Sequence, residues 1–236
     1  MDQQQRRSLI AAAAVTVLLL CLVILAALTT PVDRQVSNLF FDAVSGRWLV
    51  DHGSGHLRLW LYDGPKWLLM VFGIALAIAA IRPGLVPGGW FGRREALFLF
   101  ACLAVVPLTV GIIKKQSGVH CPYTLQQYGG TQDDETGHVS LAGFFDDLPE
   151  GGCWPSGHAS GGFALLALAW LQRSRRARFR LALPGLVFGL SMGAYQVARG
   201  AHFVSHVLVT GLISVLLILV LSVLFGIAGE VPVESR

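Results

Sequence analysis

The sequence predicts an all-α polytopic membrane protein, a bundle of six transmembrane helices with one large extracytoplasmic loop. Composition is the first reason: 54% of the residues are hydrophobic, 14% are charged, and the mean hydropathy is +0.61. A typical soluble domain has about 25% charged residues, so this chain falls outside that class. The second reason is the length of the apolar runs, because a helix needs roughly 20 apolar residues to cross the hydrocarbon core. The third is that basic and acidic residues concentrate in opposite connecting segments, as the positive-inside rule expects.

The expected helices follow the apolar runs in chain order, at residues 8–28, 65–82, 95–113, 158–172, 181–198 and 207–228. The first run is longer than a usual signal core and has no convincing cleavage site after it, so we expect a retained helix rather than a signal peptide. The fourth and fifth runs are short and hold several glycines, which suits close helix packing. Residues 29–64 resemble a partly amphipathic surface segment. No repeat or second domain is visible, and we expect one domain over residues 1–236.

Basic residues mark three segments as cytoplasmic. They are Arg6 and Arg7, then Arg82, Arg93 and Arg94, and finally Arg173, Arg175, Arg176, Arg178 and Arg180. The opposite segments hold most of the acids, including Asp133, Asp134, Glu135, Asp146, Asp147 and Glu150. The pattern predicts that both termini lie in the cytoplasm and that the acidic loop lies on the outer side of the membrane. Although the net charge is +4, this clustering indicates topology and contact with anionic lipids, not a nucleic acid partner.

The four cysteines divide by position. Cys21 and Cys102 fall inside expected helices, where they are buried packing residues. Cys121 and Cys153 fall in the outside loop, in a compartment that permits oxidation, and we expect them to form a disulfide. A metal-bound pair is the weaker alternative, because no tightly spaced cysteine or histidine surrounds either residue.

Three polar clusters are expected to converge on the outside face. They are Lys114 and Lys115 at the start of the long loop, Pro155-Ser156-Gly157-His158 at its end, and Arg199, His202 and His206 at the turn before the last helix. Ionisable residues at the rim of a membrane helix are costly, so their convergence predicts a functional site.

These residue types suit a phosphate group. Lysine and arginine supply cations for phosphate oxygens. Ser156 and Gly157 fall at a helix start, whose free N–H groups and dipole attract anions. One imidazole, of His158 or His202, attacks phosphorus while the other protonates the leaving oxygen. His206 follows His202 by four residues, so on a helix the two rings are neighbours.

Each cluster has a simpler interpretation when it is taken alone. A Pro-Ser-Gly sequence before a helix usually provides an N-terminal cap. A single interfacial histidine usually packs or anchors a helix, and a terminal lysine or arginine usually extends its charge into the interface. The coincidence of all three clusters on one side of the membrane favours the phosphate site.

From about residue 110 to 212 the chain resembles the type 2 phosphatidic acid phosphatase superfamily of membrane lipid phosphatases, whose pattern is K-x6-R-P, then P-S-G-H, then S-R-x5-H-x3-D. Pro155–His158 matches the middle motif in full. The resemblance implies six helices and a phosphatase that uses neither metal nor other cofactor. It also implies His202 as the nucleophile, His158 as the general acid, and Lys114, Ser156 and Gly157 as phosphate ligands.

The first and third motifs depart from the pattern. Cys121 stands where the first motif has its arginine. Gln196 replaces the arginine six residues before His202, while Arg199 lies three residues before it and is expected to reach the same site. His206 stands where the family has the aspartate that orients the nucleophile.

These departures leave open which group orients the His202 ring and stabilises its positive charge. Either a neutral His206 accepts the proton of the His202 ring, or a loop carboxylate such as Asp146 or Asp147 replaces the family aspartate. The run His120-Cys121-Pro122-Tyr123 resembles a bacterial branch of the superfamily with C-P-W in this loop, where such departures are expected to be normal.

The residues and the resemblance together predict a membrane lipid phosphatase that hydrolyses a lipid phosphomonoester or pyrophosphate through a phosphohistidine. Lys115 and Gln196 are further candidate substrate-binding residues, and His206 is a further catalytic candidate. The expected substrates are phosphatidic acid, phosphatidylglycerol phosphate, undecaprenyl pyrophosphate or lipid A phosphates. The alternative is a lipid phosphotransferase, in which a hydroxyl acceptor replaces water. A remote alternative is a haem- or metal-binding module that uses His158, His202 and His206, and the position of these residues at the rim beside cations disfavours it.

Overall fold

The computed structural model describes residues 3–51, 55–82, 92–137, 151–172 and 174–227. In these ranges the chain forms helices and one short antiparallel hairpin. The elements are α1 (Gln3–Thr29), α2 (Val32–Asn38), β1 (Phe41–Asp42), β2 (Arg47–Trp48), α3 (Gly55–Ile81), α4 (Arg93–Lys115), α5 (Gly157–Leu171), α6 (Arg175–Ala198) and α7 (Val204–Leu224). Short 3-10 turns at Pro122–Thr124, Gln126–Tyr128 and Asp134–Gly137 follow α4.

Five of the described helices are long and apolar enough to cross a membrane, namely α1, α3, α4, α6 and α7. The prediction of an all-α membrane protein is therefore confirmed. The other expected span, α5, is shorter, with 8 α-helical residues followed by 7 in 3-10 conformation. Because 3-10 winding rises by about 2.0 Å per residue instead of 1.5 Å, α5 is about 26 Å long, against a hydrocarbon thickness of about 30 Å. The count of six spans stays a prediction that depends on α5.

The third helix begins earlier than its apolar run predicted. The expected start was residue 65, whereas α3 begins at Gly55. Gly64-Pro65 resembles a helix start, since proline lacks the N–H that an interior turn uses. Here a π-helical turn over Leu59–Asp63 accommodates the proline, and a Cβ on Gly64 would lie 2.6 Å from the Leu59 oxygen. Part of the expected surface segment therefore forms the first turns of a long apolar helix.

The short helix α5 contacts α3, α4, α6 and α7, while α1 packs against α7. Glycines permit its closest approach to α6, since a Cβ on Gly162 would lie 2.4 Å from the Gly189 nitrogen. Phe163 and Phe98 belong to the buried core at this junction. Small residues let membrane helices approach closely, so the glycines of the two short runs have the packing role that the sequence suggested.

Cys121 and Cys153 form the expected disulfide, with their Cα atoms 5.3 Å apart. It joins the segment after α4 to the segment before α5. Two backbone bonds reinforce the junction, since Gly152 N–H donates to the Ser117 carbonyl at 2.7 Å and Cys153 N–H donates to the Val119 carbonyl at 2.9 Å. The starts of α5 and of the loop are thereby held at one end of the bundle.

The two remaining cysteines differ from each other. Cys102 is buried, as expected. Cys21 is exposed, so its assignment as a buried packing residue is wrong. The reason is that α1 packs mainly on α7, at the edge of the bundle, which leaves most of its surface exposed.

The expected outside loop is described in part. Asp146, Asp147 and Glu150 lie outside the described residues, as does Arg173 in the connection between α5 and α6. The full extent of the loop and the hypothesis that a loop carboxylate supports His202 therefore stay predictions.

Candidate active site

The ends of four helices bring the three motif clusters together. Lys114 is in the last turn of α4, Ser156 and Gly157 begin α5, and the turn between α6 and α7 carries Arg199 and His202. A Cβ on Gly157 would lie 3.9 Å from Cδ of Lys114. The lysine side chain therefore runs along the start of α5, and the first two clusters meet there.

His202 and His206 form a buried pair. Their Nδ1 atoms are 3.4 Å apart, and the two residues are 2% and 1% exposed. Two Nδ1 atoms at this distance share one hydrogen, which one ring donates and the other accepts. With His202 as the donor, the lone pair of its Nε2 is left for reaction with an electrophile.

Burial keeps the pKa of His202 well below its ordinary value of 6.5. The charges of His206, Lys114 and His158 act in the same direction. The His202 ring is therefore neutral at pH 7, because desolvation and neighbouring cations both disfavour the imidazolium form. A neutral imidazole is the form that acts as a nucleophile.

The turn that carries His202 is fixed by backbone bonds and by packing. The amides of Ala201 and His202 both donate to the Gln196 carbonyl, at 2.8 and 3.2 Å. Gly200 has a φ of +69°, and a Cβ there would lie 2.2 Å from the Trp48 ring. Only glycine suits this position, so the β1–β2 hairpin packs directly over the turn. The side-chain Oε1 of Gln196 is buried and has no hydrogen-bond partner among the described residues.

α2 ties the other side of the histidine pair to the bundle. Asp33 is 4% exposed, and its carboxylate accepts hydrogen bonds from the Ser205 N–H, at 2.9 Å, and from the Ser205 hydroxyl. Because Ser205 is in the first turn of α7, Asp33 supplies the helix with a cap from a distant part of the chain. The residue that precedes His206 is thereby held in place. The sequence interpretation assigned no role to Asp33.

Ser156 does not act as the cap of α5. It is 0% exposed, and its hydroxyl has no hydrogen-bond partner among the described residues. Its N–H donates to Thr210 Oγ1 at 2.8 Å, and the Thr210 hydroxyl in turn contacts the Ser156 carbonyl at 3.2 Å. A buried hydroxyl that lacks a partner costs about 1–3 kcal/mol. The simple cap interpretation of Pro-Ser-Gly is therefore wrong, and a polar ligand is expected at this hydroxyl.

Tyr62 of α3 joins His158 to Arg199. The rings of Tyr62 and His158 stack with centroids 3.9 Å apart and planes tilted by 32°. The Arg199 guanidinium carbon lies 5.9 Å from the Tyr62 centroid and 5.6 Å from the Tyr195 centroid. These cation–π contacts hold the guanidinium beside the His158 side of the site.

Positive charge exceeds negative charge around His158. Lys114, Lys66 and Arg199 all act electrostatically on its ring, and Asp63 is the carboxylate that opposes them among the described residues. An anionic group such as a phosphate would balance this positive charge. Lys115, the neighbour of Lys114, is exposed.

Sequence reasoning missed Tyr62 and Lys66. They flank Gly64-Pro65, which suggested a boundary between a surface segment and a membrane helix. A signal was nevertheless present, because an aromatic residue and a cation four residues apart lie near the same face of a helix. Continuing the helix across the proline would have pointed both residues toward the site.

An apolar groove of about 550 Å³ opens beside the polar cluster. It is lined by Lys66, Leu69, Met70, Gly73, Ile74, Phe100, Leu103, Ala104, Pro107, Lys114, Gly157, His158, Gly161 and Met192. The volume is typical of small-molecule sites. One end of the groove is therefore cationic, and the rest is apolar, which is the polarity pattern of a lipid with an anionic head group.

One group of side chains has the spacing of metal ligands. The sulfur of Cys153 and ring nitrogens of His202 and His206 lie within 4.8 Å of one another. The Cys153 sulfur is bonded to Cys121, however, and a disulfide sulfur lacks the thiolate charge that binds metal. The Nδ1 atoms of the two histidines contact each other. The chemistry of this donor set therefore does not fit a metal site.

Comparison with known proteins points to the same part of the chain. The family model of the PAP2 superfamily matches residues 95–229, more than half of the chain. The matched range contains Lys114, the Pro155–His158 motif and the turn with His202. No curated protein and no solved structure matches the chain. On the strength of the family match and of the motifs gathered around one cationic pocket, the chain belongs to the PAP2 superfamily, the type 2 phosphatidic acid phosphatases that its motifs predicted.

Proposed function

We propose that the protein is a membrane lipid phosphatase that hydrolyses a lipid phosphomonoester or diphosphate through a phosphohistidine at His202. Membership of the PAP2 superfamily supports phosphatase or phosphotransferase chemistry at a coarse level. The observation that carries the finer proposal is that Lys114 and His158 line one groove, while the neighbouring Ser156 N–H lies 3.4 Å from the His206 carbonyl and the His206 ring contacts His202. A phosphoryl group bound to this lysine therefore lies near both histidines.

In the first step, Nε2 of neutral His202 attacks phosphorus. The P–N bond forms while the bond between phosphorus and the lipid oxygen breaks, and His158 gives its proton to that oxygen. The cations around His158 disfavour its protonated form, and the negative charge of the bound phosphate group restores that form. The His202 ring gains positive charge in this step. Its Nδ1–H donates to Nδ1 of a neutral His206, which stabilises that charge in place of the family aspartate.

In the second step, water attacks the phosphorus of phospho-His202. His158, now neutral, takes a proton from the water molecule. The P–N bond breaks, its electron pair returns to Nε2, and inorganic phosphate leaves. The two histidines are thereby restored to their starting protonation states.

The phosphoryl oxygens are stabilised by groups of different kinds. Lys114 and Arg199 supply fixed positive charges. The Ser156 hydroxyl, which is buried without a partner among the described residues, donates a hydrogen bond. The N–H of Gly157 at the start of α5 donates another, as helix N-termini do toward phosphates. These donors act most strongly on the charge that spreads over the oxygens in the transition state.

We propose that the site faces the periplasm of a bacterial inner membrane and that both termini are in the cytoplasm. The disulfide at the site end of the bundle supports this orientation, since disulfides persist in oxidising compartments. Arginines support it from the other end, because Arg93 and Arg175 begin the helices that end at Lys115 and Ala198.

Phosphate release from purified lipids tests the proposal. The full chain in detergent is incubated with phosphatidic acid, phosphatidylglycerol phosphate, a prenyl diphosphate and lipid A. We expect release from at least one lipid, and we expect His202→Ala to lose about a thousand-fold or more in kcat while its thermal unfolding midpoint is unchanged, since the nucleophile is gone. His56→Ala, which changes an exposed histidine of α3, is the matched control and should retain full activity.

Two results would contradict parts of this function. An active and folded His202→Ala variant would exclude His202 as the nucleophile. A strict requirement for a second lipid with a free hydroxyl, with no phosphate released into water, would identify the protein as a phosphotransferase instead.

A further inference from the structure

Lys66 is a cation of the site for which the three motifs do not account. It is in α3, outside the range that matches the family model, yet it lines the groove together with Lys114 and His158. Among the described residues it makes no salt bridge. Asp63, the carboxylate nearest to it in sequence, is 3.2 Å from Arg58. The Lys66 charge is therefore available to an anion of the substrate.

Lys66 lies on the His158 side of the site. Lys66, Lys114 and His158 line the groove together, and the Tyr62 ring, one helical turn before Lys66, stacks on the His158 ring. His202 lies behind them, in the buried pair with His206. In the proposed reaction, His202 is on the side of the attacking atom and His158 is on the side of the leaving oxygen. Lys66 therefore lies on the leaving-group side of the transferred phosphoryl group.

The shape of the groove indicates where the lipid part of the leaving group lies. Leu69 and Met70 follow Lys66 by three and four residues on α3 and line the groove with it. Met70 is 46% exposed and Phe100 on the facing helix is 40% exposed, so the groove opens toward the surrounding bilayer. A lipid chain in the groove, joined to a phosphoryl group at Lys114, passes Lys66 at the connection between the two.

From these positions we infer that Lys66 is a specificity residue that binds a second anionic group in the leaving part of the substrate. The inference rests on the proposed phosphatase function and names its preferred substrate class. That class is a lipid whose leaving group carries its own negative charge, such as a diphosphate, and it is preferred over a lipid monophosphate whose leaving group is a neutral alcohol.

The reaction of a prenyl diphosphate shows the role. Nε2 of His202 bonds to the outer phosphorus, and the bond from that phosphorus to the bridging oxygen breaks. The bridging oxygen keeps the electron pair and receives a proton from His158. Prenyl monophosphate leaves with the Lys66 ammonium as its counter-ion, and water then releases inorganic phosphate from His202.

Paired kinetics on two substrates test the inference. The full chain and its Lys66→Gln variant are assayed in one detergent with a prenyl diphosphate and with phosphatidic acid. We expect Lys66→Gln to lower kcat/KM by about ten-fold or more for the diphosphate, which loses a charge-assisted contact, and by about two- to three-fold for phosphatidic acid. Lys66→Arg should recover most of the loss. Arg47→Gln, which removes an exposed cation of the hairpin, should change neither substrate.

The possible outcomes distinguish a failure of the Lys66 inference from a failure of the proposed phosphatase function. If the parent protein hydrolyses both lipids and Lys66→Gln lowers them equally, or lowers neither, the specificity role is overturned and the phosphatase function stands. If the parent protein releases phosphate from neither lipid, both proposals are overturned for these substrates. A selective loss on the diphosphate that Lys66→Arg recovers supports the inference.

Discussion

At the scale of single residues, the contact between His202 and His206 takes the position of the family's histidine–aspartate pair. A carboxylate in that position stabilises an imidazolium by its charge. A neutral imidazole stabilises it by accepting a hydrogen bond, which the Nδ1–Nδ1 distance of 3.4 Å permits. Because both rings are buried, the hydrogen bond is not diluted by water. In the proposed reaction, the pair therefore stabilises the imidazolium through a buried hydrogen bond instead of the charge of a carboxylate.

Changing His206 measures what the second ring contributes. We expect His206→Ala to lower kcat by about a hundred-fold with little change in KM, because the His202 ring loses its hydrogen-bond acceptor after substrate has bound. His206→Asp should retain at least about a tenth of the parent kcat, because a carboxylate accepts the same hydrogen. Both variants are assayed on the best lipid from the substrate panel, beside their thermal unfolding midpoints.

A particular result would favour the other source of support for His202. If His206→Ala is folded and fully active, the histidine pair does not orient the nucleophile. Asp146→Asn and Asp147→Asn then become the informative variants, since a loop carboxylate was the alternative that the sequence left open.

Motif spacing predicted which polar side chains meet at one end of the bundle, because ionisable residues are rare at membrane rims. Pattern reasoning alone did not decide whether Ser156 caps a helix or binds a ligand, since both roles use the same sequence. Its hydroxyl is buried and makes no cap hydrogen bond with the described residues, which argues against the cap, while ligand binding by Ser156 stays a proposal. Tyr62 and Lys66 were missed because Gly64-Pro65 suggested a helix start, whereas packing favoured a continuous helix with a π-helical turn.

At the scale of elements, α2 connects the first helix to the catalytic turn. Hydropathy predicted the long apolar helices, because a helix that crosses the membrane needs about 20 consecutive apolar residues. It did not predict α2 or the β1–β2 hairpin, whose positions depend on tertiary contacts. The Asp33 carboxylate on Ser205 and the Trp48 ring on Gly200 are two such contacts. Both fix the turn that carries His202.

Removing the Asp33 carboxylate tests the structural value of this connection. We expect Asp33→Ala to destabilise the protein by about 2–3 kcal/mol, because the Ser205 N–H and hydroxyl lose a charged acceptor in a buried place. The loss appears as a lower midpoint of thermal unfolding in detergent. Asp33→Asn keeps an acceptor and should lose less, and Asp42→Ala on the exposed hairpin is the surface control. An unchanged midpoint for Asp33→Ala would show that α2 does not hold the turn.

At the scale of the whole molecule, the bundle has two chemically different ends. The site end carries the disulfide, the histidine pair and the cations around His158. The other end carries Arg93 and Arg175 at the starts of α4 and α6. Local residue patterns sufficed to predict this asymmetry, because each helix connects one end to the other. The groove between α3 and α4 was not predictable in the same way, since it arises from the packing of several helices.

This asymmetry predicts the orientation of the protein in the membrane. In a background where Cys21 and Cys102 are changed to alanine and the disulfide is kept, one cysteine is introduced by Arg47→Cys or by Arg175→Cys. Both positions are exposed, the first on the hairpin over the site and the second at the start of α6. We expect a membrane-impermeant maleimide to label the Arg47→Cys variant in intact spheroplasts and the Arg175→Cys variant only after permeabilisation, because arginine-rich ends stay in the cytoplasm. The reverse pattern would place the site in the cytoplasm, where the Cys121–Cys153 disulfide would be reduced.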